Sequence, residues 1–183
     1  MATASPAAQP EAVLQLHKQM HTAYIGLGSN LGESEDILYR ALDDIAALPQ
    51  TVLDQVSDLY RTAPVDSSGP DYINAVARLT TELSAPKLLQ ALQAIELSHG
   101  RVRPYRNAPR TLDLDILCYD DLEQDTTQLI LPHPRMHLRA FVLRPLLDIA
   151  PDMVLYGRPI SQWLTQCDGQ PVTLYRYYAD RPD

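Results

Sequence analysis

Between residues 24 and 119 the hydrophobic pattern switches back and forth between a strand period and a helix period. The order of those switches constrains the fold more than any other feature. Tyr24–Leu27 is a short apolar run that enters the glycine-punctuated turn Gly28-Ser29-Asn30-Leu31-Gly32. Ser34 is the expected N-cap of a helix with Ile37, Leu38, Ala41, Leu42 and Ile45 on one face and Pro49 past its end. Val52–Tyr60 reads as one strand, and Tyr72–Thr81 as its antiparallel partner across the loop-like Thr62–Pro70 stretch. In the second strand Ile73, Ala75, Ala77 and Leu79 share a face; Tyr72, Asn74, Val76 and Arg78 share the other. Ser84 and Pro86 open a second helix with the stripe Leu88, Leu89, Leu92 and Ile95, stopped at Gly100. Leu112–Tyr119 then alternates, with Leu112, Leu114, Ile116 and Cys118 expected on one face and Asp113 and Asp115 on the other.

Strand, helix, strand, strand, helix, strand is the β-α-β-β-α-β order of a ferredoxin-like α+β sandwich. Such a sandwich has an antiparallel sheet with helices on one face, and the opposite face is open to chemistry. The elements of residues 129–165 are not placed by periodicity. Phe141–Ile149 fits a helix or a strand, and Pro145 counts against the helix. The expected organisation is a flexible arm over residues 1–20, one domain over 21–165 and a C-terminal extension over 166–183.

Composition sets the function classes. The chain has 183 residues, 45% hydrophobic and 21% charged, which suits a globular domain with its own core. No apolar run approaches a membrane span, and the first residues lack the basic and apolar regions of a secretory signal. Cys118 and Cys167 have no metal-ligand spacing and read as free thiols of a reducing cytoplasm. A net charge of −8 argues against nucleic acid. Locally the balance reverses: Arg101, Arg103, Arg106 and Arg110 stand together without an acid, and Asp113 and Asp115 follow at once. That order suits a polyphosphate held by arginine forks, with a divalent cation between it and the carboxylates.

Each residue of this set has a plain alternative. Asp113 and Asp115 project the same way from a strand, roughly 7 Å apart, which suits Mg²⁺ but equally describes a wet strand face. The arginines could form an exposed loop paired with nearby acids. His133, between Pro132 and Pro134, is held in place whether it is structural or functional. Tyr72 and Asn74 offer a flat heterocycle a stacking ring and an edge partner, or simply pack a strand face.

The chain resembles the 6-hydroxymethyl-7,8-dihydropterin pyrophosphokinase family. Four segments carry the likeness. They are Tyr24-Ile25-Gly26-Leu27-Gly28-Ser29-Asn30-Leu31-Gly32; Tyr60-Arg61-Thr62-Ala63-Pro64 with Asp71-Tyr72-Ile73-Asn74-Ala75; the stretch from Ile95-Glu96-Leu97 through Gly100-Arg101-Val102-Arg103 to Pro109-Arg110-Thr111-Leu112-Asp113-Leu114-Asp115-Ile116; and Leu131-Pro132-His133-Pro134-Arg135-Met136 with Arg139-Ala140-Phe141-Val142-Leu143. They fall in the family's order over roughly residues 23–165.

The resemblance implies a ferredoxin-like fold and transfer of pyrophosphate from ATP to 6-hydroxymethyl-7,8-dihydropterin, with release of AMP, in folate synthesis. It implies that Asp113 and Asp115 bind two Mg²⁺ ions and that Arg101 and Arg110 act on the ATP phosphates with Arg103 beside them. Gln93, Glu96, Ile116, His133 and Arg139 would meet the nucleotide. Tyr72 and Phe141 would sandwich the pterin, with Thr62, Val65 and Asn74 at its edge. Two positions depart from many relatives: Asn107 stands where they place an aromatic, and Pro104 where they place a basic residue. The expected protein is a cytoplasmic monomer that acts on small molecules, with no nucleic-acid or membrane partner. Two other readings use the same residues. A Mg²⁺-dependent D-x-D nucleotidyl or glycosyl transferase would not need the Tyr72, Asn74 and Phe141 set. A non-catalytic ferredoxin-like binding domain would not need the carboxylates and arginines together.

Overall fold

A computed structural model describes residues 19–64, 69–100 and 111–182. The elements run β1 (His21–Ser29), α1 (Ser34–Ala46), β2 (Thr51–Val56), β3 (Leu59–Thr62), β4 (Tyr72–Thr81), α2 (Ala85–Ser98) and β5 (Asp113–Tyr119). Two short pairs and two helices follow: β6 (Gln124–Asp125), β7 (Ile130–Leu131), α3 (Ala140–Ile149), β8 (Val154–Leu155), β9 (Arg158–Pro159), α4 (Ile160–Thr165) and then β10 (Val172–Arg176). Turns of 3-10 helix precede α3 at Met136–Leu138 and follow β10 at Tyr178–Asp180.

The main sheet has the order β10-β3-β4-β1-β5, with β2 also on β4, and every pairing is antiparallel. This is the ferredoxin-like arrangement read from the sequence. The alternation of β4 holds: Ile73, Ala75, Ala77 and Leu79 enter the core under α1 and α2, and Val76 enters the core on the other face. Ala23, Ile25 and Leu27 of β1 join the first core, as do Leu38, Leu42 and Ile45 of α1 and Leu88, Leu92 and Ile95 of α2.

Three local expectations are corrected and one left open is settled. The helix α1 begins at Ser34, and Glu33 occupies the N-cap without a side-chain cap. The strand expected over Val52–Tyr60 is two strands. Between them Ser57 Oγ accepts the Val76 N–H at 2.9 Å while the Ser57 N–H donates to the Val76 carbonyl at 2.8 Å. That exchange satisfies the β4 backbone where the ladder is interrupted. In β5 the register with β1 slips between Tyr24 and Ile25, which leaves Leu117 as a bulge residue. The bulge turns Leu117 and Cys118 to the second core and returns Tyr119, rather than Cys118, to the face of Leu112, Leu114 and Ile116. Finally, Phe141–Ile149 is helical. Ala140, Val142, Leu143, Pro145 and Leu146 of α3 are buried, so packing of this apolar face outweighs the hydrogen bond that Pro145 removes.

α1 and α2 cover one sheet face. The C-terminal elements α3 and α4 cover part of the other, where α3 packs on β4. The part they leave open carries the candidate site. Residues beyond 165 supply β10, which pairs with β3 and extends the sheet.

Candidate active site

Three rows of the sheet place the predicted residues. Asn74 pairs with Tyr60 on one side and Gly28 on the other, and Gly28 pairs with Asp113. Residues directly opposite one another share a face, so Tyr60, Asn74, Gly28 and Asp113 form one row on the site face. Val76, Gly26 and Asp115 form the next. Tyr72, two residues before Asn74, projects to the same side and pairs with Thr62.

The two glycines of the middle strand lie close against side chains of the neighbouring strands, Gly28 most tightly. A Cβ on Gly28 would lie 3.1 Å from Asn74 Oδ1 and 3.8 Å from the Tyr72 ring. Gly26 lies under the side chain that the β5 bulge turns over, with Leu117 3.4 Å from where its Cβ would stand. Thus Gly28 leaves room between the aromatic side of the site and the carboxylate side. Asn74 is buried, and its amide donates to Thr62 Oγ1 at 2.8 Å. This bond orients the Asn74 side chain and leaves its Oδ1 toward Gly28.

Beside β5 lies a cavity of about 340 Å³, bordered by Gln93, Glu96, Asp115, Ile116 and His133, with Thr126–Ile130 along its rim. Five residues predicted to act on a nucleotide or its metal therefore meet at one cavity. Glu96 is buried in α2, and its Oε1 accepts the Leu114 N–H at 2.8 Å, tying the helix to the strand that carries both aspartates. The Leu117 carbonyl, at the bulge, accepts the His133 N–H at 2.8 Å.

Burial, reinforced by Arg139 and Arg135, pushes the His133 imidazole down to about 4, against a smaller opposing pull from Asp113. The ring is neutral at pH 7. Its Nδ1 lies 3.2 Å from the Arg135 N–H and accepts it, which assigns the ring proton to Nε2. The residue thus presents a neutral donor. The Arg139 guanidinium lies 5.4 Å from the Phe141 ring centroid, and both flank the start of α3. A larger cleft of about 450 Å³ opens near Asn30, Glu35, Arg61 and Tyr175. Glu35 there is engaged by the Tyr175 hydroxyl and the Arg176 guanidinium, and neither aspartate nor His133 borders the cleft. The chemistry belongs with the smaller cavity, which Asp115 and His133 border.

Val65, Arg101, Arg103 and Arg110, together with the departures at Pro104 and Asn107, lie outside the described residues. Sequence reasoning missed the β5 bulge that lays Leu117 in contact with Gly26, because periodicity does not reveal it. It also missed Tyr60 as a member of the site row, although the strand pattern could have placed it opposite Asn74. Gln170, which hydrogen-bonds both sides of Arg139, carries no sequence signal at all.

A ferredoxin-like sheet with a carboxylate pair, a cavity beside it and an adjoining aromatic face suits an enzyme that acts on small molecules. The model of the 7,8-dihydro-6-hydroxymethylpterin-pyrophosphokinase family matches residues 24–151. The chain is 48% identical over 146 residues to the 2-amino-4-hydroxy-6-hydroxymethyldihydropteridine pyrophosphokinase of Pseudomonas aeruginosa, covering 79% of this chain and 90% of that one. It is 48% identical to the Haemophilus influenzae enzyme of the same name over 148 residues, covering 80% and 91%. Among solved structures, wild-type Plasmodium falciparum HPPK-DHPS with pteroate matches with a TM-score of 0.63 at 13% identity, over 81% of this chain and 42% of that one. This chain spans less than half of that longer protein, and the likeness concerns the fold. The chain belongs to the 7,8-dihydro-6-hydroxymethylpterin-pyrophosphokinase family. It is a pyrophosphokinase of folate synthesis, with ATP as co-substrate.

Proposed function

We propose that the site performs the family's reaction with Asp113 and Asp115 as ligands of Mg²⁺, the cavity beside β5 as the nucleotide site and the Tyr72–Asn74 face as the pterin site. The observation that carries this reading is the single row Asn74-Gly28-Asp113, which joins the two sides without an intervening side chain. The donor set suits Mg²⁺: two hard carboxylates on one strand face, with no cluster of three or more protein ligands among the described residues. Mg²⁺ is commonly held by one or two carboxylates plus phosphate oxygens and water rather than by an all-protein cage. When bound, Mg²⁺ neutralises charge on the phosphates.

The pterin hydroxymethyl oxygen attacks the β-phosphorus of ATP. The bond from that phosphorus to the oxygen bridging it to the α-phosphorus breaks, AMP leaves, and the hydroxyl proton passes to solvent. The protein's contribution is alignment and electrostatic stabilisation. Tyr72 and Phe141 stack on the pterin; Thr62, Val65 and Asn74 bind its edge. Gln93, Glu96 and Ile116 seat the nucleotide. Arg101, Arg103, Arg110 and Arg139 bind its phosphates, and His133 Nε2–H adds a neutral donor. Stacking excludes water, which would otherwise compete as the nucleophile.

The same reading takes residues 21–165 as the domain that supplies these groups, with 1–20 an arm and 166–183 an extension. It takes the enzyme as a cytoplasmic monomer without a nucleic-acid partner, consistent with unpaired Cys118 and Cys167. No described helix is long and apolar enough to cross a membrane.

Separating the nucleotides formed from ATP, with and without the dihydropterin and with and without EDTA, tests the proposal. AMP that requires both the pterin and a divalent cation is the expected result. ADP as product would overturn the donor geometry, and AMP formation unchanged by EDTA would overturn the role of the carboxylates.

A further inference from the structure

The start of α3 holds two proposed substrate contacts within three residues: Arg139 at the N-cap and Phe141 in the first turn. Arg139 supplies no side-chain cap. The first N–H groups of a helix need external acceptors, and here the acceptor comes from thirty residues away. Gln170 Oε1 accepts the Ala140 N–H at 3.0 Å, and Gln170 Nε2 donates to the Leu138 carbonyl at 3.0 Å. One amide therefore grips the backbone on both sides of Arg139, using its donor and acceptor together.

Gln170 is itself anchored. Its N–H donates to the Cys167 carbonyl at 3.3 Å across a turn in which Gly169 has φ +76°. Cys167 is buried in the core beneath α3 and α4, and its N–H donates to the Leu164 carbonyl at 3.0 Å. Two residues after Gln170 the chain enters β10 and is fixed to β3. The grip is thus held on both sides, by α4 and by the sheet.

We infer that Gln170 is a positioning residue for the transfer reaction: it sets the Leu138–Ala140 backbone so that Arg139 and Phe141 face their substrates. The inference rests on the roles proposed for those two residues. Gln170 lies beyond the segment matched by the family model, which ends at residue 151. Its action is on binding geometry, so its loss should fall on KM more than on kcat.

The test is steady-state kinetics of Gln170→Ala and Gln170→Glu beside Arg139→Ala and Phe141→Ala, with circular dichroism and thermal unfolding as fold controls. Each hydrogen bond is modest, so Gln170→Ala is expected to raise KM for ATP and for the pterin roughly fivefold, with kcat within about twofold. Gln170→Glu keeps the acceptor for Ala140 but loses the donor to Leu138, and should fall between wild type and Gln170→Ala. In the Arg139→Ala background, Gln170→Ala should add little to the KM for ATP, because its effect there passes through Arg139. A folded Gln170→Ala with unchanged KM values, or with a lowered Tm as its only change, overturns the inference. Should Gln170→Ala not fold, the same criteria apply to Gln170→Glu. If Arg139→Ala and Phe141→Ala leave both KM values unchanged, it is the site assignment that fails. If those two variants raise KM and the Gln170 variants do not, only the positioning role fails.

Discussion

His133 lies against the bulged edge of β5, near Arg135 and Arg139, and its imidazole is held down to about 4. In an unfolded chain the same group titrates near its ordinary 6.5. Between those values the unfolded chain binds a proton that the folded one does not, so this group lowers stability as pH falls through that window. The His133 Cε1–H resonance is accordingly expected to stay at its neutral position from pH 8 down to about 5, and a midpoint near 6.5 would contradict the burial argument. Cys118 responds to burial in the other direction, its thiol pushed up to about 11. In the native protein it should react with a thiol reagent at least about tenfold more slowly than in denaturant, and equal rates would contradict this. The flanking prolines made His133 visible in the sequence as a fixed ring. Its protonation state was not visible, because it follows first from burial and then from Arg139 and Arg135, and the burial arises only in the fold.

At the scale of elements, α3 is also held at its C-terminal end. The Tyr60 hydroxyl donates to Asp148 at 2.8 Å, Arg144 Nη1 lies 3.2 Å from Asp148 Oδ1, and the Arg144 guanidinium sits 5.2 Å from the Tyr60 ring centroid. Burial and the Asp148 carboxylate raise the Tyr60 hydroxyl above its ordinary range, so it remains a donor. Tyr60→Phe removes a hydrogen bond to a charged group and should cost about 2 kcal/mol in urea unfolding; no loss would show that Asp148 is satisfied by Arg144 and the Asp58 N–H. The alternation of β4 was legible residue by residue, since Ile73, Ala75, Ala77 and Leu79 share the core face while the polar Tyr72, Asn74 and Arg78 mark the other. The bulge at Leu117 was not, because Leu117 and Cys118 are both apolar and a period of two survives the slip on paper. The break at Ser57 was hidden for a related reason: Ser57 replaces the ladder with its own hydroxyl, and neither glycine nor proline marks it.

For the whole molecule, the β-α-β-β-α-β order was sufficient to place Asp113, Asp115, Tyr72 and Asn74 on one sheet face. The role of the C-terminal residues was not, because β10 pairs with a strand more than a hundred residues earlier. Tyr175 and Arg176 meet Glu35, the Tyr178 N–H donates to Asp58 at 2.9 Å, and Arg181 pairs with Asp43 at 2.6 Å. These contacts join the last residues to α1 and β3. A chain ended at Thr165 uncovers the edge of β3 and should lose more than about 2 kcal/mol and associate with itself. Unfolding in urea and light scattering would detect both changes, and a truncated chain of full stability and unchanged scattering would show β10 to be dispensable.

The proposed division of the site face into a carboxylate side and a pterin side, separated only by Gly28, is tested most directly by Asp113→Asn and Asp115→Asn. AMP formation and pterin binding would be measured on the same folded preparations. A metal-held phosphate contributes several kcal/mol to the transition state, so either variant should lower turnover by about 10³-fold or more while binding the dihydropterin within about threefold of wild type. Near-normal turnover in a folded variant would contradict the metal role of that aspartate. Loss of pterin binding in step with turnover would contradict the division of the face.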